Sequence, residues 1–318
     1  MKNFNHIPGM IEPVEQEMLQ AITSSIEFGQ NDTLIEYGSF FGRSTNCIIE
    51  GLKNNKSYSP SNNLIIYDSF KCKSNGSFAS HVNTFAQKGK VENLIEKKQS
   101  IISFRKIFEH YCLPSPINIH INECEISEIN AIQNPISFMH IDCPKYYSEF
   151  KFIIDKHFLS LKKGSIIVFQ DFFYHWSATL IASIELLLQG KFIEIQRTAA
   201  SSLTVEVKKK IKYEDIKLLD HKMNTISLIE LIDSSINRIL NLENTKIDRI
   251  HQFLPRLILA SIQYSWELGQ FQNAEYLWRS FLINYPEKLQ PVFDDFHELM
   301  RYGFSVRALY EIDHDINL

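Results

Sequence analysis

The stretch EYGSFFGRST, Glu36 to Thr45, follows the apolar pair Leu34-Ile35 and runs into the mainly apolar residues Cys47-Ile48-Ile49. It places two glycines, Gly38 and Gly42, between a predicted strand and a predicted helix. Glycine lets the backbone turn sharply and approach a ligand closely, and a helix that begins here offers unpaired N–H groups. The stretch therefore predicts a strand–loop–helix crossover that holds a ligand.

Short β-rich runs alternate with amphipathic runs between residues 34 and 207, which predicts a mostly parallel sheet with helices on both faces. The predicted strands are residues 34–37, 64–67, 117–121, 136–141, 165–170, 192–197 and 202–207. The predicted helices include Val14–Phe28, Thr45–Leu52, Tyr147–Leu161 and Trp176–Leu188. The last two strands are too close for a helical crossover, so one of them runs antiparallel. The predicted fold class is α/β, a doubly wound seven-stranded sheet within residues 1–211.

The chain from residue 212 to 318 has almost no strand signal and shows long helical periodicities, which predicts a separate all-helical unit. Within it, WELGQFQNAEYL (266–277) and MRYGFSVRALYE (300–311) align at an offset of 34, the period of tetratricopeptide hairpins. An ordinary helical bundle is the alternative. Either arrangement could bind a protein partner or mediate self-association.

Charge and cysteine usage narrow the class of protein. The 33 basic and 37 acidic residues give a net charge of -4, which disfavours a nucleic acid partner. The five cysteines are odd in number and form no CxxC pair, which predicts reduced thiols and a cytoplasmic protein. The first residues contain no continuous apolar segment, so neither a signal peptide nor a membrane anchor is expected.

The crossover loop lacks the known phosphate-binding motifs, and this absence helps to predict its ligand. Neither GxGxxG nor GxxxxGK[ST] is present, and the carboxylate of Glu36 would repel a pyrophosphate. S-adenosylmethionine (SAM) carries an ammonium, a sulfonium and no phosphate, so the acid favours it. Asp68 ends the second predicted strand, where a carboxylate can accept hydrogen bonds from both ribose hydroxyls, and Ser69 assists.

The third strand of the sheet has two possible positions in the sequence. If it is INIHIN, Glu123 lies near the base of the nucleoside. If it is NLIEKK, Ser100 takes that place.

Two further strands end in polar residues: SFMHID ends at Asp142 with Lys145 close behind, and GSIIVFQD ends at Gln170-Asp171 with His175 nearby. The carboxyl ends of central strands meet at one crevice, so we expect Glu36, Asp142 and Asp171 to line one pocket. The aromatic residues beside it suit a ring-shaped acceptor; they are Tyr146, Tyr147, Phe172, Phe173, Tyr174 and Trp176.

Taken together, these residues resemble the class I SAM-dependent methyltransferases, particularly the small-molecule O-methyltransferases of the catechol and macrocin types. The pattern E-x-G-x-x-x-G-x-S is met from Glu36 to Ser44, and D-S-F at Asp68 to Phe70 and I-D-C at Ile141 to Cys143 look like macrocin-type motifs. The resemblance covers roughly residues 7 to 207. It implies SAM as cofactor, bound by Glu36, Gly38, Ser39, Gly42, Ser44, Thr45, Asp68, Ser69, Glu123 and Asp142.

The spacing of Asp142 and Lys145 is similar to the catechol type, in which the aspartate binds Mg²⁺ and the lysine deprotonates the acceptor hydroxyl. The resemblance thus implies Lys145 and Asp142 as catalytic residues, with His175 as a substitute base. Asp142, Gln170 and Asp171 would be the metal ligands. Glutamine is neutral and a poorer Mg²⁺ ligand than a carboxylate, which speaks against metal dependence.

Three functional hypotheses follow from the sequence. The leading one is SAM-dependent methyl transfer to a hydroxyl of a small molecule, such as a sugar or a natural-product-like acceptor. The second is a non-catalytic SAM-fold module whose C-terminal helices bind a protein. The third, an NAD-linked oxidoreductase, is opposed by Glu36 and by the missing third loop glycine.

Overall fold

The structure, a computed structural model, describes residues 1–174, 177–242 and 250–284. The strands are β1 Thr33–Tyr37, β2 Asn63–Asp68, β3 Lys71–Lys73, β4 Glu96–Lys98, β5 Ile101–Ser103, β6 Ile119–Glu123, β7 Ile136–Ile141, β8 Leu161–Phe169, β9 Ile193–Ala199 and β10 Ser202–Val207. The α-helices are α1 Pro13–Ser25, α2 Arg43–Lys53, α3 Ser77–Gly89, α4 Arg105–Cys112, α5 Tyr147–His157, α6 Ala178–Gln189, α7 Tyr213–Thr225, α8 Leu228–Leu240, α9 Ile250–Glu267 and α10 Phe271–Asn284.

Seven strands form one sheet in the order β6-β2-β1-β7-β8-β10-β9. β1 pairs in parallel with β2 on one side and with β7 on the other, and β2 pairs in parallel with β6. β9 and β10 form the antiparallel hairpin that the short connection predicted. The predicted fold class, a mostly parallel seven-stranded sheet followed by C-terminal helices, is confirmed. The strand order reverses at β1 and β7, and this switch point is where open α/β sheets place their ligands.

The strands β1 and β7 lie at the centre of the sheet because they are mainly apolar. Every residue of β1 and every residue of β7 is buried. A parallel strand covered on both faces has no solvent side, so it reads as a continuous apolar run instead of an alternating one. Glu36 and His140, the two titratable residues among the buried polar ones of these strands, lie opposite each other in the register of β1 and β7.

The long segment after β2 contains structure that the sequence reading did not resolve. Its strands β3, β5 and β4 form a second, antiparallel three-stranded sheet. The NLIEKK segment contributes β4 to this small sheet, whereas β6, from INIHIN, pairs with β2 in the large sheet. The INIHIN alternative for the third strand is therefore the one observed. A cluster of phenylalanines packs between the small sheet, α4 and the crossover loop; it contains Phe40, Phe41, Phe70, Phe104 and Phe108.

Helix α5 is shorter than predicted. It ends at His157, a 3₁₀ turn covers Phe158–Ser160, and β8 already begins at Leu161. The early start of β8 is stabilised by Ser165, whose hydroxyl donates to the carbonyl of Ile136 at 2.6 Å and accepts from the N–H of Lys162 at 3.0 Å. The helix predicted from Trp176 begins at Ala178, and Trp176 itself lies outside the described residues.

The chain divides into two compact units. The first contains Met1–Cys143 and Lys156–Ile167, and the second contains Pro144–Asp155 and the described residues from Val168 to Asn284. A division at residue 211 into a SAM-binding domain and a helical domain stays a prediction.

Within the second unit, helix α8 packs on α6 and α9 packs on both. Helices α9 and α10 form a hairpin with a turn at Gly269 and a small core made by Leu259, Ile262, Ala274 and Trp278. The second predicted repeat, residues 300–311, lies outside the described residues. No helix in the described ranges is long and apolar enough to cross a membrane.

Candidate functional site

In the first unit, four parallel strands end at one edge of the sheet, and the predicted cofactor residues follow these ends. Gly38 follows β1, Asp68 and Glu123 end β2 and β6 opposite each other, and Asp142 follows β7. The backbone N–H of Asp142 donates to the carbonyl of Tyr37 at 3.0 Å, and that of Gly38 donates to Tyr67 at 2.9 Å. The edge is thus continuous across the switch point between β1 and β7.

The two glycines of the crossover serve different purposes. Both have positive φ, 78° at Gly38 and 89° at Gly42, a conformation in which a side chain is strained. A Cβ on Gly38 would lie 3.1 Å from the N atom of Cys143, so this glycine lets the ends of β1 and β7 approach each other. A Cβ on Gly42 would overlap the sulfur of Cys112, so this glycine lets α4 pack against the start of α2.

Asp68 binds the crossover loop directly. Its Oδ2 accepts hydrogen bonds from the backbone N–H of Phe40 at 2.9 Å and from Ser39 Oγ at 3.4 Å, and its Oδ1 accepts from the N–H of Phe70 at 2.7 Å. Burial nevertheless raises the pKa of Asp68 to about 6, against the opposing effect of these hydrogen bonds. The residue therefore fixes the loop that precedes α2 and remains half-buried at the strand edge.

Glu36 lies behind the loop, with its side chain fully enclosed by the protein. Its Oε2 accepts a hydrogen bond from Thr45 Oγ1 at 2.5 Å, and its Oε1 lies 3.1 Å from His140 Nδ1. A buried carboxylate requires such partners because its desolvation is costly. Glu36 thus ties the strand before the loop to the helix after it, and its predicted contact with a cofactor stays a prediction.

The other predicted cofactor residues differ in exposure. Ser39 and Ser44 are buried, and Ser69 is half-buried with its hydroxyl directed at the carbonyl of Lys71, 3.3 Å away. Glu123 is exposed and forms ion pairs with Arg105 at 2.8 Å and with Lys71 at 3.8 Å. A direct contact of these residues with a cofactor stays a prediction.

A buried series of hydrogen bonds links the end of β1, at Tyr37, to His157 and to the backbone of Asn130. His157 Nε2 lies 2.8 Å from the carbonyl oxygen of Asn130, which can only accept, so Nε2 carries the proton and Nδ1 accepts from the hydroxyl of Tyr37. Burial lowers the pKa of His157 to about 4, which keeps the ring neutral. Tyr37 also stacks on Tyr67 of β2, with ring centroids 5.4 Å apart.

In the second unit, the structure brings two of the predicted catalytic and metal residues together. Lys145 Nζ forms an ion pair with Asp171 Oδ2, and only 12% of the lysine side chain and 18% of the aspartate side chain are exposed. The backbone N–H of Lys145 donates to Glu149 Oε2 at 2.7 Å. Both ends of the lysine are therefore held in place. The third predicted catalytic residue, His175, lies outside the described residues.

The two predicted metal ligands of the second unit, Gln170 and Asp171, do not fit Mg²⁺ in this arrangement. The ammonium of Lys145 occupies the position beside Asp171 that a cation would take, and Gln170 Oε1 already accepts from Ser202 Oγ at 3.1 Å. A hard divalent cation prefers several free carboxylate oxygens. In the described part of the chain, no group of three or more His, Cys, Asp or Glu side chains could hold a metal ion. No catalytic role is therefore assigned to a metal here.

The aromatic residues predicted to line an acceptor pocket divide into core and surface. Phe172 and Phe173 are fully buried and belong to the core. Tyr146, Tyr147 and Tyr174 are half-buried, and the Tyr174 ring lies 5.3 Å from the guanidinium carbon of Arg256.

Sequence reasoning missed several residues that shape these sites. Phe40 adopts a positive φ of 50° in the loop although it is not glycine, and its N–H is bound by Asp68. His140 looked like an ordinary residue of a buried strand. Glu149 had a recognisable signal, since an acid in the first turn of a helix commonly binds the N–H groups that precede it.

Comparison with known proteins yields similarity in structure only. No protein-family model matches the chain, and no curated protein matches its sequence. Several solved structures that share the arrangement are methyltransferases. The methyltransferase PaMTH1 of Podospora anserina, bound to S-adenosylhomocysteine, is 12% identical over 63% of this chain and 80% of its own, with a TM-score of 0.40.

Two further solved structures are the O-methyltransferase NovP and CalS11, a TDP-rhamnose 3'-O-methyltransferase. NovP is 12% identical over 64% of this chain and 83% of its own, with a TM-score of 0.42. CalS11 is 16% identical over 60% of this chain and 76% of its own, with a TM-score of 0.37. These values describe a distant similarity of fold.

Proposed function

We propose that the protein is a SAM-dependent methyltransferase that modifies a hydroxyl group of a small molecule. The observation that carries the proposal is the Asp68 carboxylate at the switch-point edge, bound to the N–H of Phe40 in the glycine loop. This joins the carboxylate expected to bind a ribose to the loop expected to bind the rest of the nucleoside. The buried acid Glu36 directly behind the loop disfavours a phosphate-bearing ligand and is compatible with a cationic one.

The residues of the first unit fit SAM by their chemistry. Each carboxylate oxygen can accept more than one hydrogen bond, so Asp68 can hold the loop and still accept from ribose hydroxyls. Gly42 is the N-cap of α2 and has no side chain that could occupy the N–H groups of the first helical turn. Bound SAM would supply an electrophilic methyl group on a sulfonium sulfur.

In the proposed reaction, Lys145 of the Lys145–Asp171 pair acts as the general base. An ammonium cannot accept a proton, so Lys145 must first lose one to solvent. The neutral amine then takes the proton of the acceptor hydroxyl, and Asp171 stabilises the ammonium that this transfer restores. Arginine at this position would stay protonated and could not act as the base.

Calorimetry with S-adenosylhomocysteine and with NAD tests the cofactor assignment. We expect the wild-type protein to bind S-adenosylhomocysteine with a Kd on the order of micromolar, and Asp68→Ala to weaken binding at least about tenfold, the loss of a charged hydrogen bond. Asp171→Asn is the matched control, because it removes an acid from the second unit only. NAD binding, or equal affinity in wild type and Asp68→Ala, would contradict the proposal.

Turnover tests the catalytic half of the proposal. The wild-type protein is incubated with labelled SAM and a panel of hydroxylated sugars and phenols, with and without Mg²⁺. We expect Lys145→Arg to lose at least about a hundredfold in kcat while it retains cofactor affinity, because the base is removed and the charge is kept. Full turnover by Lys145→Arg would exclude this lysine as the base.

A second function, protein binding through the C-terminal helices, is favoured by one observation. Helix α10 exposes three large apolar side chains, with Phe271 53%, Tyr276 68% and Ile283 78% exposed. Apolar side chains grouped on one helix are common at protein interfaces. Light scattering of the full chain before and after Tyr276→Glu tests self-association as one form of this binding: a mass that falls on substitution supports it, and a monomer in both cases opposes it.

A further inference from the structure

Helix α7 forms an unexpected link to the segment that carries the proposed base. Asp220, in the middle of α7, accepts a hydrogen bond from the hydroxyl of Tyr147 through Oδ1, and its Oδ2 lies 2.6 Å from Lys151 Nζ. Tyr147 is the first residue of α5, and Lys145 lies two residues before it. A residue from the predicted helical unit is thus bonded to the helix that begins at the proposed catalytic segment.

The contact is made along one face of α5. Tyr147, Lys151 and Asp155 follow one another at intervals of four, so they lie above each other on the helix surface. Lys151 Nζ is 3.0 Å from Asp155 and 2.6 Å from Asp220, so the lysine bridges the two acids. Burial and then the neighbouring Asp220 carboxylate raise the pKa of Tyr147, so its hydroxyl stays protonated and donates.

The start of α5 is held from two further directions. The N–H of Tyr147 donates to Thr179 Oγ1 of α6 at 3.0 Å. Glu149 Oε2 accepts from the N–H of Lys145 at 2.7 Å and from that of Tyr146 at 3.2 Å. With the ion pair between Lys145 and Asp171, every residue from Lys145 to Tyr147 has a fixed backbone or side-chain contact.

We propose that Asp220 is a positioning residue: by holding Tyr147 and Lys151, it fixes the first turn of α5 and thereby the Lys145–Asp171 pair. Helix α7 is then part of the catalytic machinery of the second unit and does more than connect to a partner-binding region. The positioning of the segment can be tested by itself, whereas its effect on turnover rests on the proposed function.

Amide hydrogen exchange, followed by mass spectrometry of peptides that cover residues 144–150, tests the positioning without any substrate. We expect exchange in this segment to become about tenfold faster or more in Asp220→Ala and in Tyr147→Phe, because the bond between the two side chains is lost in each. Exchange in α6 should not change. Glu214→Ala, which removes an exposed acid of the same helix, is the matched control and should match the wild type.

The variants also separate positioning from general stability. Asp220→Asn keeps an oxygen that can accept from Tyr147 and should keep exchange in this segment close to the wild-type rate. If Asp220→Ala fails to fold, Tyr147→Phe provides the measurement. Exchange in residues 144–150 that is unchanged in Tyr147→Phe, or accelerated to the same extent throughout α6, would overturn the proposal.

Kinetics give the second readout. We expect Asp220→Ala to lower kcat about tenfold or more, as small displacements of a catalytic group do, with the KM for SAM and the Kd for S-adenosylhomocysteine unchanged. Absence of S-adenosylhomocysteine binding in the wild type would refute the proposed function and leave the exchange result standing. Faster exchange together with an unchanged kcat would show that the contact does not serve catalysis, and would overturn the proposal.

Discussion

The interactions of Asp68 depend on pH. Its hydrogen bonds to the loop require carboxylate oxygens, whereas burial favours the protonated form and raises its pKa to about 6. Near neutral pH the group is therefore ionised, but by a smaller margin than an ordinary aspartate. The same residue that holds the loop would be protonated in mild acid.

This predicts a pH dependence of ligand binding. In the proposed function, protonation of Asp68 removes an acceptor for the ribose hydroxyls, so affinity should be constant above about pH 7 and fall below the pKa of about 6. We expect the Kd of S-adenosylhomocysteine to rise about tenfold between pH 7 and pH 5, as a single titrating group requires. Calorimetry at half-unit pH intervals measures it, and Asp68→Asn should give a flat, weaker profile. An equally steep profile in Asp68→Asn would assign the effect to another group.

For individual residues, the sequence shows which ones lie at strand ends but not which side chains they contact. Gly38, Asp68 and Asp142 could be predicted because each follows an apolar run whose end is clear. The partner of Glu36 could not be predicted, because His140 lies about a hundred residues away in the chain and only the register of β1 and β7 brings them together. Lys145 and Asp171 could be placed after successive strands, but the ion pair between their side chains could not be predicted from the sequence.

Among the elements, the junction of α2 and α4 depends on a missing side chain. A Cβ at residue 42 would overlap the sulfur of Cys112 and lie 3.1 Å from the ring of Phe108, at a φ of 89°. We expect Gly42→Ala to lower the free energy of unfolding by about 2–4 kcal/mol, from backbone strain and overpacking together. Denaturant unfolding measures the loss. Adding Cys112→Ala should recover part of it, and no recovery would mean that backbone strain alone accounts for the cost.

The contact between β1 and the end of α5 predicts a pH-dependent stability. The pKa of His157 is lowered to about 4, whereas in the unfolded chain it is near 6.5. Between these values the unfolded state binds the proton and the folded state does not. The contribution is therefore complete above pH 6.5 and is lost as the pH falls towards 4, by about 3 kcal/mol in total.

The variant His157→Gln isolates this contribution. Glutamine can still accept from Tyr37 and donate to Asn130 but does not titrate, so the loss of stability between pH 6.5 and 4.5 should be smaller by about 2 kcal/mol or more. Urea unfolding across that range measures it. His221→Gln, at an exposed histidine, is the control and should keep the wild-type slope. If the free energy of unfolding fell equally steeply with pH in His157→Gln and in the wild type, His157 would not be the cause of the pH dependence.

Elements with strong periodicity could be predicted closely, and those that depend on distant partners could not. β1, β2, β7 and the β9–β10 hairpin follow their apolar runs. The small sheet of β3, β4 and β5 escaped prediction because each strand has three residues, too few to show an alternating pattern. The end of α5 could not be predicted, because Phe158 and Leu159 continue its apolar pattern but lie in the 3₁₀ turn Phe158–Ser160.

For the molecule as a whole, an ion pair joins helix α6 to the C-terminal helices. Arg238 of α8 donates from Nε and Nη2 to the two oxygens of Glu185 at 2.9 and 2.6 Å, and the glutamate side chain has no exposed surface. We expect Arg238→Ala to cost about 3–5 kcal/mol, because it leaves a buried charge unpaired. The double variant Glu185→Met with Arg238→Leu should recover most of this in denaturant unfolding. A cost below 1 kcal/mol for the single variant would contradict the expectation.

The same pair bears on the predicted boundary at residue 211. A chain that ends there would lack Arg238 and would leave Glu185 buried without its partner. It would also lack Asp220, which binds the start of α5. The sequence indicated a boundary because the strand signal ends at this point, yet composition does not report which helices share side-chain contacts.

The register of the central strands also bears on how the protein folds during synthesis. β4 and β5 are neighbours in the chain and can pair within microseconds, whereas Thr33 of β1 must wait for Ile136, about a hundred residues later. Until the ribosome has released β7, Glu36 has no histidine opposite it and β1 has a parallel partner, β2, on one side only. The nascent chain therefore acquires its small sheet early and completes the strand edge proposed to bind SAM only after residue 141 has emerged.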